Sequence, residues 1–155
     1  MAGAERCAAP EAGSGRLDNP CADQQRSAQV DAGGRGTAMP RAVNLAERLS
    51  LFAEHWSPKI VAQFNGHDVM VVKVKGEFVW HSHADTDDLF LVLKGSLTIQ
   101  LRGDEVRLGP GDLYIVPKGV EHRPVADEEV HLLLIEPRGT PNTGDEATAA
   151  ARTAI

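Results

Sequence analysis

His81 and His83 stand one residue apart at the end of a run of extended-type residues. Strand alternation sends both imidazoles to the same face, a few ångströms from one another. Two such groups chelate a single transition ion. Asp88 follows at the start of the next apolar run, and His122 lies just beyond the turn Pro117-Lys118-Gly119. Together they offer three nitrogens and one carboxylate oxygen, a donor set that suits Zn, Fe, Mn, Ni or Cu. A His-x-His pair by itself is a weak signal, and a metal-free polar pocket uses the same residues.

Other chemistry has little support. The stretch Asp85, Asp87 and Asp88 lacks the spacing, glycine and terminal glutamate of a calcium loop. There is no Gly-x-Ser-x-Gly elbow, no P-loop, and no Gly-x-Gly-x-x-Gly after a strand. Both cysteines, Cys7 and Cys21, fall outside the part of the chain expected to fold, so no thiol nucleophile is available there. Trp80 points away from His81 and reads as packing. Tyr114 and His131 are weaker candidates for the pocket. Arg123 and Lys59 could meet an anionic substrate, with surface pairing as the default. No catalytic base is identifiable, although Asp88, if free of a metal, is one option.

The elements that must carry these residues follow from composition. Residues 1–38 are dominated by Ala, Gly, Pro and Ser and hold few large apolar side chains, which predicts a disordered N-terminal tail. Met39 is an alternative natural start. Residues 139–155, rich in Gly, Thr and Ala, read as a C-terminal tail, leaving one domain over 39–138 that contains all six histidines. Asn44 and Glu47 fit a capping box, with Leu45, Leu49 and Phe52 on one helical face and an end before Trp56. Eight short β-type runs follow: 60–64, 69–74, 78–83, 89–93, 97–101, 106–108, 113–116 and 130–135. Turn signals such as Asn65-Gly66 and Gly109-Pro110-Gly111 separate most of them. Strands at this spacing without intervening helices predict a closed antiparallel sandwich or barrel.

The run Leu89-Phe90-Leu91-Val92-Leu93 is apolar on both faces, with Phe90 and Val92 on the Asp88 side. Either the N-terminal helix or a second subunit must cover its outer face, and a homodimer is the expectation. The net charge of −6 argues against nucleic acid as a partner. No apolar run is long enough for a membrane span, and the opening residues lack a secretory h-region, so a cytoplasmic setting is expected.

The wider pattern resembles the cupin family. Its first motif is matched by Gly76, His81, His83, Asp88 and Gly95, its second by Gly111, Pro117, Gly119 and His122, with fifteen residues between Gly95 and Gly111. Gly76 and His81 are one residue closer than the motif asks, Asp88 stands in the glutamate position, and Ala126 replaces an asparagine that is not a ligand. The resemblance implies an all-β jelly-roll barrel with a short N-terminal helix, and one divalent transition metal (Zn, Fe, Mn or Ni) held by His81, His83, Asp88 and His122. A finer likeness joins Trp56 to Ile60, Val120 to Pro124, Leu134 to Pro137 and Asn142 to Asp145 to small bacterial cupins called mannose-6-phosphate isomerase-like. What this implies is a small-molecule substrate and isomerase-like Lewis-acid or dioxygenase-like chemistry. The alternative is a non-catalytic ligand-binding or sensory cupin, and the absence of a helix-turn-helix segment bears on the sensory form.

Overall fold

The computed structural model describes residues 41–155. The expected tail over 1–38 and both cysteines lie outside these residues. The first element is a single turn of helix, α1 (Leu45–Leu49). The Asn44 side-chain oxygen accepts hydrogen bonds from the backbone N–H groups of Ala46 and Glu47 at 3.0 and 3.2 Å. The cap is therefore present, but among the described residues Glu47 makes no reciprocal bond. The helix is also shorter than its apolar pattern predicts. Ser50 explains this: its hydroxyl donates to the Glu47 carbonyl at 2.7 Å, competing with continuation of the helix.

Eight strands follow: β1 (Lys59–Phe64), β2 (His67–Glu77), β3 (Asp88–Lys94), β4 (Leu97–Leu101), β5 (Asp104–Leu108), β6 (Leu113–Val116), β7 (His122–Pro137) and β8 (Thr153–Ala154). They form one sheet in the order β5-β4-β7-β2-β1-β8, with β3 joining β7 to β6. The long strand β7 organises it. One edge of β7 pairs with β2; the other pairs with β4 near His122 and with β3 near Leu133. The inward side chains of β2 to β7 meet in one core, including Met70, Val72, Phe90, Val92, Ile99, Val116, Val130 and Leu132. A sheet whose successive strands share one interior is rolled up, and the fold is the expected all-β jelly roll.

Two expectations change. Residues 78–83 do not form a strand. Gly76, whose φ is +82°, sits where β2 and β7 shift register, and after Glu77 the chain lifts off the ladder and touches β7 only at intervals. Phe78 N–H donates to the Pro124 carbonyl at 2.9 Å, and His81 and His122 exchange backbone bonds at 3.0 and 2.9 Å. In turn, β7 begins eight residues before the expected run 130–135. Its first half, with Arg123, Pro124 and three acids, reads as a loop in sequence, yet keeps His122, Pro124 and Ala126 pointing inward.

Outside the barrel, Leu49, Val61 and Val71 form a second, smaller cluster with Phe52, Leu93 and Ile155. Residues 139–155, expected as a tail, return to the sheet. They end in β8, which pairs in parallel with β1. Among the described residues, no helix is long and apolar enough to cross a membrane.

Candidate metal centre

The four side chains singled out in sequence arrive from three places. His81 and His83 come from the irregular stretch before β3, Asp88 opens β3, and His122 opens β7. All four are buried, and one donor atom from each lies within 4.8 Å of all the others. Asp88 Oδ2 stands 3.2 Å from His122 Nε2, 3.5 Å from His83 Nε2 and 4.0 Å from His81 Nε2. Donors bound at about 2.0–2.1 Å around a tetrahedral ion are separated by roughly 3.4 Å, so this spacing fits one ion. The shorter side chain of Asp88 reaches the cluster because β3 starts directly beneath it, paired through Val116 with β6.

Backbone groups set the histidines in the tautomer that a ligand needs. His81 Nδ1 donates to the Val79 carbonyl and His122 Nδ1 to the Val120 carbonyl, both at 3.0 Å. Each Nε2 lone pair is thereby left for the centre. His83 is fixed through its backbone: its carbonyl accepts from Gly119 N–H at 2.7 Å, which ties the His-x-His stretch to the turn that delivers His122. Nearby, Asp87 accepts from Lys118 N–H at 2.9 Å.

The electrostatics are those of a crowded centre. Burial, reinforced by the neighbouring His122 charge, pushes His81 down to about 4. Burial also acts against a charged His83, but the Asp88 carboxylate, 3.5 Å away, outweighs it and raises His83. Burial favours the neutral acid at Asp88, yet the His122 and His83 imidazoles beside it, 3.2 and 3.5 Å from Oδ2, hold it below the usual carboxylate range. Even so, His83 Nε2 and Asp88 Oδ1 are buried without a hydrogen-bond partner. Orphaned polar atoms at the focus of three imidazoles fit a bound cation better than a closed hydrogen-bond network.

Beside the cluster lies a cavity with about 40 Å³ of free room, faced by His81 and Asp88. Trp56 and Phe78, stacked at 4.8 Å, line it with Phe90 and aliphatic side chains of β2 and β7. Glu136 and Asn142 also line it, and sequence reasoning assigned neither a role at the site. Glu136 is buried near the end of β7 and ion-paired to Arg152. Burial, with the Asp88 charge adding to it, raises Glu136 to about 7 against the opposing pull of Arg152. The C-terminal segment brings in Asn142 and Arg152, and Gly144 rests directly on the Ser82 carbonyl between the two histidines. A side chain at 144 would collide with that backbone, and φ there is +71°.

Other candidates fall elsewhere. Trp80 faces outward, with the Arg102 guanidinium 3.9 Å from its ring centroid. Arg123 is held by Gln100 and Glu77, and Lys59 by Ser57. His131 sits half-buried on the outer face beside Glu129 at 2.8 Å. Tyr114 packs against the core.

Comparison with known proteins bears on the family and the fold. The sequence profile described as the Cupin domain matches residues 68–136. A crystal structure of a cupin-2 domain containing protein from Shewanella frigidimarina is 49% identical, covering 62% of this chain and 94% of that one, with a TM-score of 0.61. An uncharacterized protein of Bacillus subtilis is 39% identical over 64 residues, 41% of this chain and 57% of its own length. Acireductone dioxygenase of Phaeosphaeria nodorum is 34% identical over 90 residues, 51% of each chain. The chain spans 51–57% of the length of the curated relatives it matches.

Proposed function

The chain belongs to the cupin family, and from that premise we propose that His81, His83, Asp88 and His122 hold one divalent transition ion, Zn, Fe, Mn or Ni, beside a cavity for a small-molecule substrate. The observation that carries this reading is the pair of buried, unpartnered atoms, His83 Nε2 and Asp88 Oδ1, at the point where three imidazole nitrogens converge. When bound, such an ion supplies Lewis-acid polarisation of a substrate oxygen or, as iron, oxygen chemistry. The likeness to mannose-6-phosphate isomerase-like cupins supports the first branch, and the resemblance to acireductone dioxygenase supports the second. The chain's own contribution is to fix the donors in one tautomer and to wall the centre with apolar side chains that exclude water.

A second reading is a ligand-binding cupin without turnover that uses the same cavity. Screening candidate substrates over the protein loaded with each of the four metals separates the two. Metal-dependent turnover lost in His81→Ala and His122→Ala supports the enzyme. A rise in Tm without turnover selects the binding protein, and full activity in both variants contradicts the site. The proposal includes a homodimer formed through the apolar outer face of β3 and β6. Its support is the exposure of Leu113 and Ile115, at 53% and 46%, beside the outward leucines of β3.

A further inference from the structure

We propose that the ligand of this cavity is a small, uncharged, largely apolar molecule bearing a hydroxyl group, and that Glu136, held by Arg152, is the acceptor that selects it. The inference rests on the reading of the cavity as the ligand site beside the metal. Away from His81 and Asp88, the wall consists of aromatic, proline and aliphatic side chains, and only Glu136 and Asn142 bring polar groups to it. Among the described residues, no lysine or arginine lines it. Apart from the metal itself, a phosphate group entering here would leave its water, find no lysine or arginine on the wall in exchange, and face Asp88 and Glu136. The bases that could have served an anionic substrate, Lys59 and Arg123, are engaged elsewhere.

Glu136 is placed to read a donor. It follows Leu132 and Leu134 in the inward alternation of β7 and is buried. Arg152 donates to Oε2, which pins the carboxylate from the C-terminal segment. Among the described residues, Oε1 makes no hydrogen bond. A hydroxyl that donates to Oε1 satisfies it, whereas a methyl ether of the same shape leaves a buried acceptor unpaired. Sites built around such an acceptor discriminate strongly against the analogue lacking the proton. Arg152 is a positioning residue: it does not itself line the cavity. The present room is about 40 Å³, so a ring-sized ligand requires the Asn142 side chain, whose Oδ1 accepts from Ala150 N–H at 2.8 Å, to give up that bond and move aside.

The two tryptophans make this measurable. Trp56 lines the cavity and its indole N–H donates to the Lys75 carbonyl at 2.8 Å, while Trp80 lies outside against Arg102 and serves as the reference. Titrations of the full-length protein with phenol, anisole and fructose 6-phosphate follow both indole N–H signals by NMR, in zinc-loaded and in metal-free protein. At pH 8.5, where Glu136 is ionised and phenol is neutral, phenol is expected to move Trp56 and not Trp80, and to bind about tenfold more tightly than anisole, the scale of a hydrogen bond to a charged acceptor. Fructose 6-phosphate is expected to leave Trp56 unmoved. Glu136→Gln should reduce the phenol preference, and the paired change Glu136→Met with Arg152→Met, which leaves no lone buried charge, should abolish it. Equal binding of phenol and anisole, no Trp56 response to phenol, a preference that survives both variants, or tighter binding of fructose 6-phosphate overturns the proposal. Failure of the protein to take up zinc defeats the metal reading instead, and the phenol-to-anisole ratio in metal-free protein still decides the role of Glu136.

Discussion

Strand β3 presents Asp88, Phe90 and Val92 to the interior and Leu89, Leu91 and Leu93 to the outside, and its two faces lack opposite things. Inward, in a region that should be apolar or fully hydrogen-bonded, His83 Nε2 and Asp88 Oδ1 are sealed from water without partners. Outward, where water should meet polar groups, Leu89 pairs with Ile115, and Leu91 with Leu113 on one side and Leu133 on the other. The helix α1 and its neighbours cover only the Leu93 end of this surface. Each face violates the rule that the other obeys, and each violation names its remedy: a cation inside, a protein surface outside. The same seven-residue strand thus carries the observations on which both the proposed metal and the proposed homodimer rest.

The largest effect is expected where the inner face is broken. His122→Ala should lower zinc affinity by about 1,000-fold in competition with a chromophoric chelator, well beyond the 10–100-fold that loss of an outer hydrogen-bond partner brings. Affinity within tenfold of the original would remove the inner half of the comparison.

Next is the outer face. Ile115→Lys should weaken self-association on the order of 100-fold, the scale of a central interface residue. Sedimentation velocity should then show one 16.6 kDa chain where the unaltered protein shows two. A monomer already present before the substitution at micromolar concentration would end the homodimer reading.

A smaller effect tests the inner wall. Glu136 stands at about 7 in the folded chain against an ordinary 4.5, so the folded state holds this proton more tightly than the unfolded state. Its stabilising contribution is full below pH 4.5 and is lost as pH rises through 7. In metal-free protein, Glu136→Gln should therefore gain on the unaltered chain by about 2 kcal/mol between pH 5 and pH 8 in denaturant unfolding. A difference constant across that range would show that Glu136 does not carry the raised value.

The smallest change serves as a control belonging to neither face of β3. Asn44→Ala removes two cap bonds at 3.0 and 3.2 Å and should lower stability by about 1 kcal/mol while leaving zinc binding unaltered.

The inner face was the more legible in sequence. Histidines one residue apart, a carboxylate at the head of an apolar run and a histidine after a Pro-x-Gly turn are local signals, and the structure brings those four side chains together. Their positioning was less visible. The period-two argument put His81 and His83 on one side even though the stretch is not a strand, because an extended chain alternates with or without a ladder partner. The first half of β7 was hidden by Pro124 and by Asp127, Glu128 and Glu129. The three acids sit where β7 bulges against β2, so their polarity reflects a local departure from pairing rather than a loop, while Pro124 stands in the ladder opposite Ile99. The pair Glu136–Arg152 carried no signal: its members are 16 positions apart, and only the return of the C-terminal segment joins them. That return is itself unreadable from composition, since Gly144 matters through its contact with the Ser82 carbonyl and not through any periodicity.

The most direct test is metal stoichiometry. Purified, untagged protein loaded with zinc, passed through gel filtration and analysed by plasma mass spectrometry should carry one ion per chain, and the triple variant His81→Ala, His83→Ala, His122→Ala should carry almost none. A native chain emerging empty, or a triple variant that retains its zinc, would contradict the account.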